Sequence, residues 1–453
     1  MTGRTHDMSR WTDDKDKPVH MKNIPAKTTM KALQDLINRS ERDGEFRKQL
    51  LANPKNTIER ELQLNLPDDH EILIHEKSKS ITHLILPPES SITKEEREAA
   101  KTGKVSLEYL KKTMYDPAPL LSEKFKHPPI KASSSNSLKE LINVRIEQGL
   151  DFLDTTISDN GAWHCIRYHG GMENAPRHYE RPPFVSAYCT LALENCELPK
   201  AKSICAAAKQ YILATMEFPG LWRYYRHLPP DLDSTTLCSM ILSDHPWIAL
   251  GQNLSKILSY RNEEGLYNTW VLDPDEPDVV SPFRIEADPV VNANIISILG
   301  DCSETRPVQN WLESLLQDRK LEDSSKWYTD SSAICYGIGR AVNRTKPLLD
   351  HLSKPLAENL LSNQDQSEGF GNILQTAQAI TALHNAGQMD TIDPLQYTKH
   401  ILNSQHEDGS WPELIAFGDK KSKWGNFGQF VHASESMTTA FCIEALTNLG
   451  NSL

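Results

Sequence analysis

From about residue 137 onward, apolar and polar positions recur in a repeating order with a period of roughly 45–60 residues. Each unit reads as a helix with one apolar face, a loop carrying glycine and an aromatic residue, and a second, more apolar helix. First helices are expected to begin near Ser137, Ala201, Gly251, Arg306, Pro355 and Pro394. Second helices are expected over Pro183–Leu193, Ser234–Leu242, Asp288–Leu299, Ser331–Val342, Asn372–Ala386 and Ser434–Leu449. Local signals agree. Asp288-Pro289 supplies a cap and a proline at the first helical position, with Gly300 beyond the end. Ser434 precedes a stripe of Met437, Ala440, Phe441 and Ala445. One helical hairpin cannot bury both faces, whereas six in a ring can, with the more apolar helices inside. The expectation is an all-α fold, a single (α/α)6 barrel over residues 137–453, preceded by a small α+β module.

Upstream the pattern differs. Residues 1–29 are charged, without apolar period, and are expected to be disordered. Residues 30–110 predict a compact unit: apolar helical spacing in Met30–Ile37, Glu45–Leu51 and Ile58–Leu64, with a break at Asn53-Pro54. Two short strands are expected around Ile72–Ile74 and Ile81–Leu86, flanking a Lys77–Ser80 turn, and a helix over Ile92–Val105. Residues 111–136, with Pro117, Pro119, Pro128, Pro129 and Ser133–Ser135, read as an extended linker.

The strings EFRKQLLANPKNTIERELQLNLP, EILIHEK and THLILPP resemble the nitrile-hydratase-type leader domain of ribosomal peptide natural product precursors. Thr102-Gly103-Lys104 stands where that family has its double-glycine cleavage site, and the hydratase metal cysteines are absent. The resemblance implies a docking module for a partner enzyme. A retained structural arm packed on the barrel is the other reading.

Composition narrows the function. The net charge of −12 argues against a nucleic-acid partner. There is no apolar stretch of transmembrane length and no secretory pattern, so a cytoplasmic location is expected, with peripheral membrane contact left open. The eight cysteines lie scattered between Cys165 and Cys442 and read as reduced, mostly buried thiols.

Gln405-x3-Gly409-x-Trp411 is the strongest repeat phrase, with a weaker copy at Gln364-x4-Gly369-Phe370. Glutamine links helix ends, glycine permits the turn, and tryptophan packs on the next hairpin. These phrases resemble the QW repeats of squalene-hopene cyclases and related class II terpene cyclases. Protein prenyltransferase β chains and lanthipeptide cyclases share the implied barrel.

At the start of the second inner helix stands Asp231-Leu-Asp233-Ser234-Thr-Thr. It resembles the Asp-x-Asp-Asp-Thr motif of class II cyclases, and more closely the Asp-x-Asp-Thr-Thr variant of drimenol-type enzymes. The resemblance implies that Asp233 is the proton donor, Asp231 its neighbour, and that Ser234 replaces the next Asp. The chemistry needs a carboxylic acid kept protonated away from water. Either Asp also suits a helix cap.

Aromatic residues cluster in loops assigned to the same mouth: Trp163, Trp222, Tyr224, Tyr225, Trp270, Trp327, Tyr328, Trp411, Trp424, Phe427 and Phe430. Such rings can line a carbocation site, though packing explains many of them equally well. Arg167, Arg223 and Arg226 could hold a diphosphate, with Mg2+ then expected beside it. His164, Cys165 and His169 could suggest zinc, but His and Cys at such spacing are usually incidental. Asp330 and Cys335 do not match the metal set of a protein prenyltransferase. The absence of a Cys-His dipeptide argues against a lanthipeptide cyclase. The expected function is a class II cyclase acting on a C15 or C20 prenyl diphosphate. The alternative is a peptide-directed or non-catalytic barrel recruiting a partner through residues 30–110.

Overall fold

Two short helices lead the described chain, α1 (Gly44–Ala52) and α2 (Pro54–Leu62). Six helical pairs follow, each an outer helix and then an inner one: α3 (Ser135–Thr156) and α4 (Pro183–Ala192), α5 (Pro199–Ala214) and α6 (Leu232–Ile241), α7 (Leu254–Ser259) and α8 (Pro289–Leu299). The remaining pairs are α9 (Arg306–Gln317) and α10 (Ser331–Arg344), α11 (Ser353–Ser362) and α12 (Ile373–Asn385), α13 (Pro394–Asn403) and α14 (Glu435–Ser452). The computed structural model describes residues 36, 39–40, 42–62, 72, 74, 116–117, 124–128, 130, 135–169, 172, 177–225, 228–272, 286–328, 330–364, 369–419 and 430–453.

The inner helices are apolar around most of their circumference, so they must be covered on all sides. They achieve this by packing in sequence. α4 contacts α6, α6 contacts α8, and so on to α14, which returns to α4 and closes the ring. One contiguous apolar core runs through all six inner helices and the inward faces of the outer ones. Caps set where the inner helices start. Asp231, Asp288, Asp330, Asn372 and Ser434 each accept a hydrogen bond from a backbone N–H of the first turn.

The loop aromatics are the joints of the ring. Trp163, Trp222 and Trp411 are fully buried. Each indole Nε1 donates to a carbonyl on the preceding outer helix, at Leu153 (3.0 Å), Ile212 (2.7 Å) and Ile401 (2.9 Å). Each backbone N–H donates to a hydroxyl on the following inner helix: Ser186, Thr235 and Thr439, all at 3.0 Å. Tyr267 and Phe370 repeat the backbone half of this joint with Asn292 and Thr376. The expected role of Gln405 is present too: its amide donates to the carbonyls of Arg145 and Gly409, both at 2.9 Å. Gly409 sits at φ +87°, and a Cβ there would lie 2.1 Å from the Gln148 carbonyl oxygen. The turn can approach α3 only without a side chain.

The fold departs from the all-α expectation. It is mostly helical but carries a five-stranded antiparallel sheet of β1 (Asp116–Pro117), β2 (Cys165–His169), β3 (Arg177–Glu180), β4 (Ile415–Asp419) and β5 (Phe430–Ala433). The strand order is β1-β3-β2-β5-β4. β2 and β5 pair with Ile166 opposite Ala433 and Tyr168 opposite Val431. β3 runs into α4 and β5 into α14, so the sheet stands over the start of these two adjacent inner helices. It also reaches the loop before α10, where the Gly418 N–H donates to the Trp327 carbonyl at 2.9 Å.

In the N-terminal module, Asp43 caps α1, and Asn53 ends it just before Pro54 opens α2. Leu36, Phe46, Leu50 and Ile58 form a small apolar cluster with Leu250, from the segment just ahead of α7. Ile72 and Ile74 pack on it. The rest of the expected strands, the helix over 92–105 and most of the 111–136 linker lie outside the described residues.

Candidate active site

Asp231 and Asp233 divide the labour that the motif offers. Asp231 is a cap with both oxygens occupied: Oδ1 accepts from the Ser234 N–H (2.6 Å) and Oδ2 from the Tyr224 N–H (2.8 Å). Its own N–H donates to the Trp222 carbonyl, and the next residue, Leu232, donates to Thr269. The loops before α6 and α8 are thereby tied together. Asp233, on the first turn of α6, turns into the ring and is 7% exposed. Its Oδ1 accepts from Asn294 Nδ2 of α8 (3.0 Å) and its Oδ2 from the Tyr328 hydroxyl (2.6 Å). Tyr328 in turn lies 2.7 Å from the Tyr188 hydroxyl of α4, which donates to it when Tyr328 gives its own proton to Asp233. Ser234 contributes its backbone to the cap, and its buried side chain sits beside the Asp231 carboxyl, whose charged form it favours.

Burial pushes the Asp233 carboxyl up to about 7. The neighbouring Asp231 adds to the rise, while Tyr328, Asn294 and Arg340 oppose it. Burial also raises Asp231 to about 6 and Asp288, the cap of α8, to about 7, with Asp233 adding to the shift of Asp288. The site therefore gathers carboxyls that share protons near neutrality.

This has a consequence for stability. In the unfolded chain these carboxyls titrate near pH 4. Their folded values are higher, so folding takes up protons between about pH 4 and 7. The stability they contribute is complete below the unfolded value and is lost as pH rises through the folded one. Asp233→Asn removes the Asp233 share while keeping its shape. The variant should melt above the parent at pH 7.5, with the gap closing towards pH 4.5, as read by thermal denaturation. A gap independent of pH would show that Asp233 is not held neutral.

Aromatic side chains form a column beneath and beside the acid. Tyr188 on α4 meets Tyr336 on α10, the opposite helix of the ring, with ring centroids 6.5 Å apart. Phe441 on α14 packs edge-on against both, at 5.7 and 5.0 Å. Phe184 links this floor to the sheet, lying 4.9 Å from Tyr188 and 4.8 Å from Phe417 of β4. Trp270 and Trp327 meet edge to face at 6.0 Å, and the Trp327 indole donates to Glu286.

Several expected site residues are placed otherwise. Trp163 and Trp222 join helices instead of lining open space, because their indoles are sealed and bonded to outer-helix carbonyls. Trp411 does the same. Arg167 is buried in an ion pair with Glu180 (2.6 Å), which also accepts from the Tyr224 hydroxyl. Arg223 forms a two-pronged pair with Glu217 and donates to the Leu228 carbonyl. Both guanidiniums already hold carboxylates, so they form no ready diphosphate clamp. Arg226, Trp424, Phe427 and the Phe430 side chain lie outside the described residues, and Tyr225 is half-buried.

The Mg2+ expected alongside a diphosphate has no fitting ligand set among the described residues. Both oxygens of Asp231 and of Asp233 are taken by hydrogen-bond donors, and no group of three His, Cys, Asp or Glu residues could hold a metal. His164 stacks on Tyr179, Cys165 shares a hydrogen bond with Tyr224, and Asp330 caps α10. Asn294, Tyr188, Asp288 and Arg340 were not singled out from the sequence as site residues. Their signal was a polar side chain inside an otherwise apolar inner helix, or a cap on a neighbouring one.

The fold is of the terpene cyclase type, as comparison with solved structures shows. It is similar to type II terpene cyclase MstE from Scytonema, in a variant bound to its substrate geranylgeranyl dihydroxybenzoate: TM-score 0.54, 14% identity, covering 70% of this chain and 100% of that one. Another MstE variant, in complex with the product merosterolic acid A, gives a TM-score of 0.55 at 14% identity, covering 70% and 99%. A protein from Actinoplanes gives 0.54 at 18% identity, covering 68% and 99%. No protein-family model and no curated protein matches the sequence.

Proposed function

We propose that this protein is a class II terpene cyclase whose helical ring is an (α/α)6 barrel. It would act on a linear isoprenoid with a C15 or C20 chain. The observation that carries the reading is Asp233: a carboxyl pushed to about 7 by burial, turned into the ring above an aromatic floor. An acid poised near neutrality is protonated often enough to act and gives up its proton readily enough to matter.

In the first step the Asp233 O–H bond breaks and its electron pair stays on the carboxylate, while the π pair of the terminal alkene forms a C–H bond at its less substituted carbon and leaves a tertiary cation on the other. Further alkenes attack it in turn to close rings. Loss of a proton from the final cation to water ends the sequence, and Asp233 regains its proton from solvent. The carboxylate left behind keeps its hydrogen bonds from Asn294 and Tyr328, which grow stronger as charge develops. Tyr188, Tyr336, Phe441 and Phe184 would offer ring faces to these cations. Tyr224, Tyr225, Trp270 and Trp327 are proposed to line the mouth. Tyr188 and Tyr336 bring opposite helices of the ring together, with their centroids 6.5 Å apart. No described helix is long and apolar enough to cross a membrane. A cytoplasmic protein drawing an apolar substrate from a membrane surface fits the same reading.

The test is cyclisation in heavy water. Farnesyl diphosphate, geranylgeranyl diphosphate and a geranylgeranyl dihydroxybenzoate are offered to the purified full chain. Protonation-initiated closure places one solvent deuterium in the cyclic product, read by mass spectrometry. Products without deuterium, or no cyclic product from any of the three, would reject the proposal. Tyr328→Phe should slow the same reaction by about 100-fold, because the departing carboxylate loses one of two donors. An unchanged rate would show that Tyr328 does not serve the acid.

A further inference from the structure

The ring interior contains a cation that alkene protonation does not call for. Arg340 is the tenth residue of α10, 7% exposed, in a helix otherwise uncharged until Arg344. Its guanidinium carbon lies 4.7 Å from the Tyr336 ring centroid and 5.2 Å from that of Tyr188. Nη1 donates to Asn294 Oδ1 at 3.3 Å, and Nη2 has no hydrogen-bond partner among the described residues. Tyr336, which packs on Arg340, gives its own hydroxyl to Glu444 (2.7 Å). A fixed positive charge beside a site that builds carbocations opposes them, so its presence needs another reason.

Asn294 supplies that reason. An amide can present either its oxygen or its nitrogen to a neighbour. A guanidinium has only donors, so Arg340 forces the Asn294 oxygen towards itself and the Asn294 NH2 towards Asp233. The chain Arg340–Asn294–Asp233 then has one consistent polarity, with links of 3.3 and 3.0 Å. Without the guanidinium the amide can turn over and face the carboxylate with its oxygen.

We infer that Arg340 is a positioning residue for the acid: through Asn294 it keeps Asp233 Oδ1 an acceptor, leaves the acidic proton on Oδ2, and stabilises the carboxylate formed when that proton departs. The inference deepens the cyclase reading and rests on it for its purpose, but the polarity of the chain is independent of any substrate. Besides the Asn294 amide, six titratable or charged groups interact with Asp233: Asp231 and Cys238 on its own helix, Asp288 at the start of α8, Tyr328 in the loop before α10, Tyr188 on α4 and Arg340 on α10. Of these, Arg340 is the cation. Its removal should therefore shift the carboxyl towards the neutral form.

The experiment reads Asp233 directly, without turnover. Infrared spectra of the full chain are recorded across pH, and the Asp233 carboxyl band is identified by its loss in Asp233→Asn. Arg340→Met should raise the titration midpoint by about one pH unit or more. Arg340→Lys, which keeps the charge, should recover over half of that shift. Asn294→Leu should also raise the midpoint, and Arg340→Met should add less on that background than in the parent. Circular dichroism checks folding. Should Arg340→Met fail to fold, the lysine and Asn294 variants carry the test. A parental midpoint in Arg340→Met or Asn294→Leu overturns the inference, as does an equal Arg340→Met shift with and without Asn294. The expected shifts in a protein that cyclises none of the offered isoprenoids would uphold the positioning role and reject the cyclase proposal alone.

Discussion

Cyclisation is expected to fall by about a thousandfold in Asp233→Asn, within the range typical of a lost general acid. The substitution is close to isosteric. Its oxygen can still accept from Asn294, and its NH2 can donate to the Tyr328 hydroxyl, which then donates to Tyr188. The pocket stays packed and satisfied, and the variant lacks only the proton. The loss should appear in turnover, with substrate affinity little changed. Asp231→Asn makes the informative contrast. Asp231 spends both oxygens on backbone donors, so its amide variant keeps one of them and turns an NH2 towards the other, at a cost of about 1–3 kcal/mol of stability and a smaller share of the rate. Product formation by the two variants, measured side by side, decides between them. Equal and severe losses, with both proteins folded, would mean that the acid has been assigned to the wrong carboxyl.

The largest effect on stability is expected at Trp411. Trp411→Ala should cost about 3–5 kcal/mol, the usual range for deleting a buried large aromatic. The residue is fully buried, bonds α13 through its indole and α14 through its backbone, and packs over Gly149 of α3. Truncation leaves a void where three helices meet and strips the Ile401 carbonyl of one of its two donors, leaving the Ser404 N–H. Trp411→Phe refills most of the void and loses the indole donor, so about 1–2 kcal/mol is expected. Denaturant unfolding of both variants separates the contributions. Equal losses in the two would place the energy in the hydrogen bond and not in packing.

The hairpin order was legible because it is local. The six inner helices fall within a few residues of the expected spans, since each is written as an apolar run, five of them behind a capping side chain and the first behind Pro182-Pro183. The joint at Gln405, Gly409 and Trp411 was also readable, since each residue type does there what its chemistry suits. The sheet was not. Its strands are two to five residues long, and β2 finds its partner β5 at the far end of the chain. No window of sequence holds both halves of that pair. Cys165–His169 consequently reads as loop when seen alone. At the site, Asp231 and Asp233 could be named from their motif, but their different duties depend on which carboxyl faces the ring. Asn294 and Arg340 were hidden inside helices read for their apolar character. A charge in the Ser331–Arg344 helix was the usable sign, since a buried charge demands a partner. The loop tryptophans looked alike in the sequence, and only their surroundings separate the joints from the mouth.

The ring is sealed by its two most distant parts. α14 packs on α3 and α4, Gln405 bonds the Arg145 carbonyl, and β5 completes the sheet beside β2. A chain emerging from the ribosome can form its early hairpins one by one, but the first of them waits for the last before its apolar flank is covered. Such distant pairing is slow to find and leaves an open arc of helices in the interim. During synthesis, the first hairpin is therefore the part most in need of shelter by a chaperone.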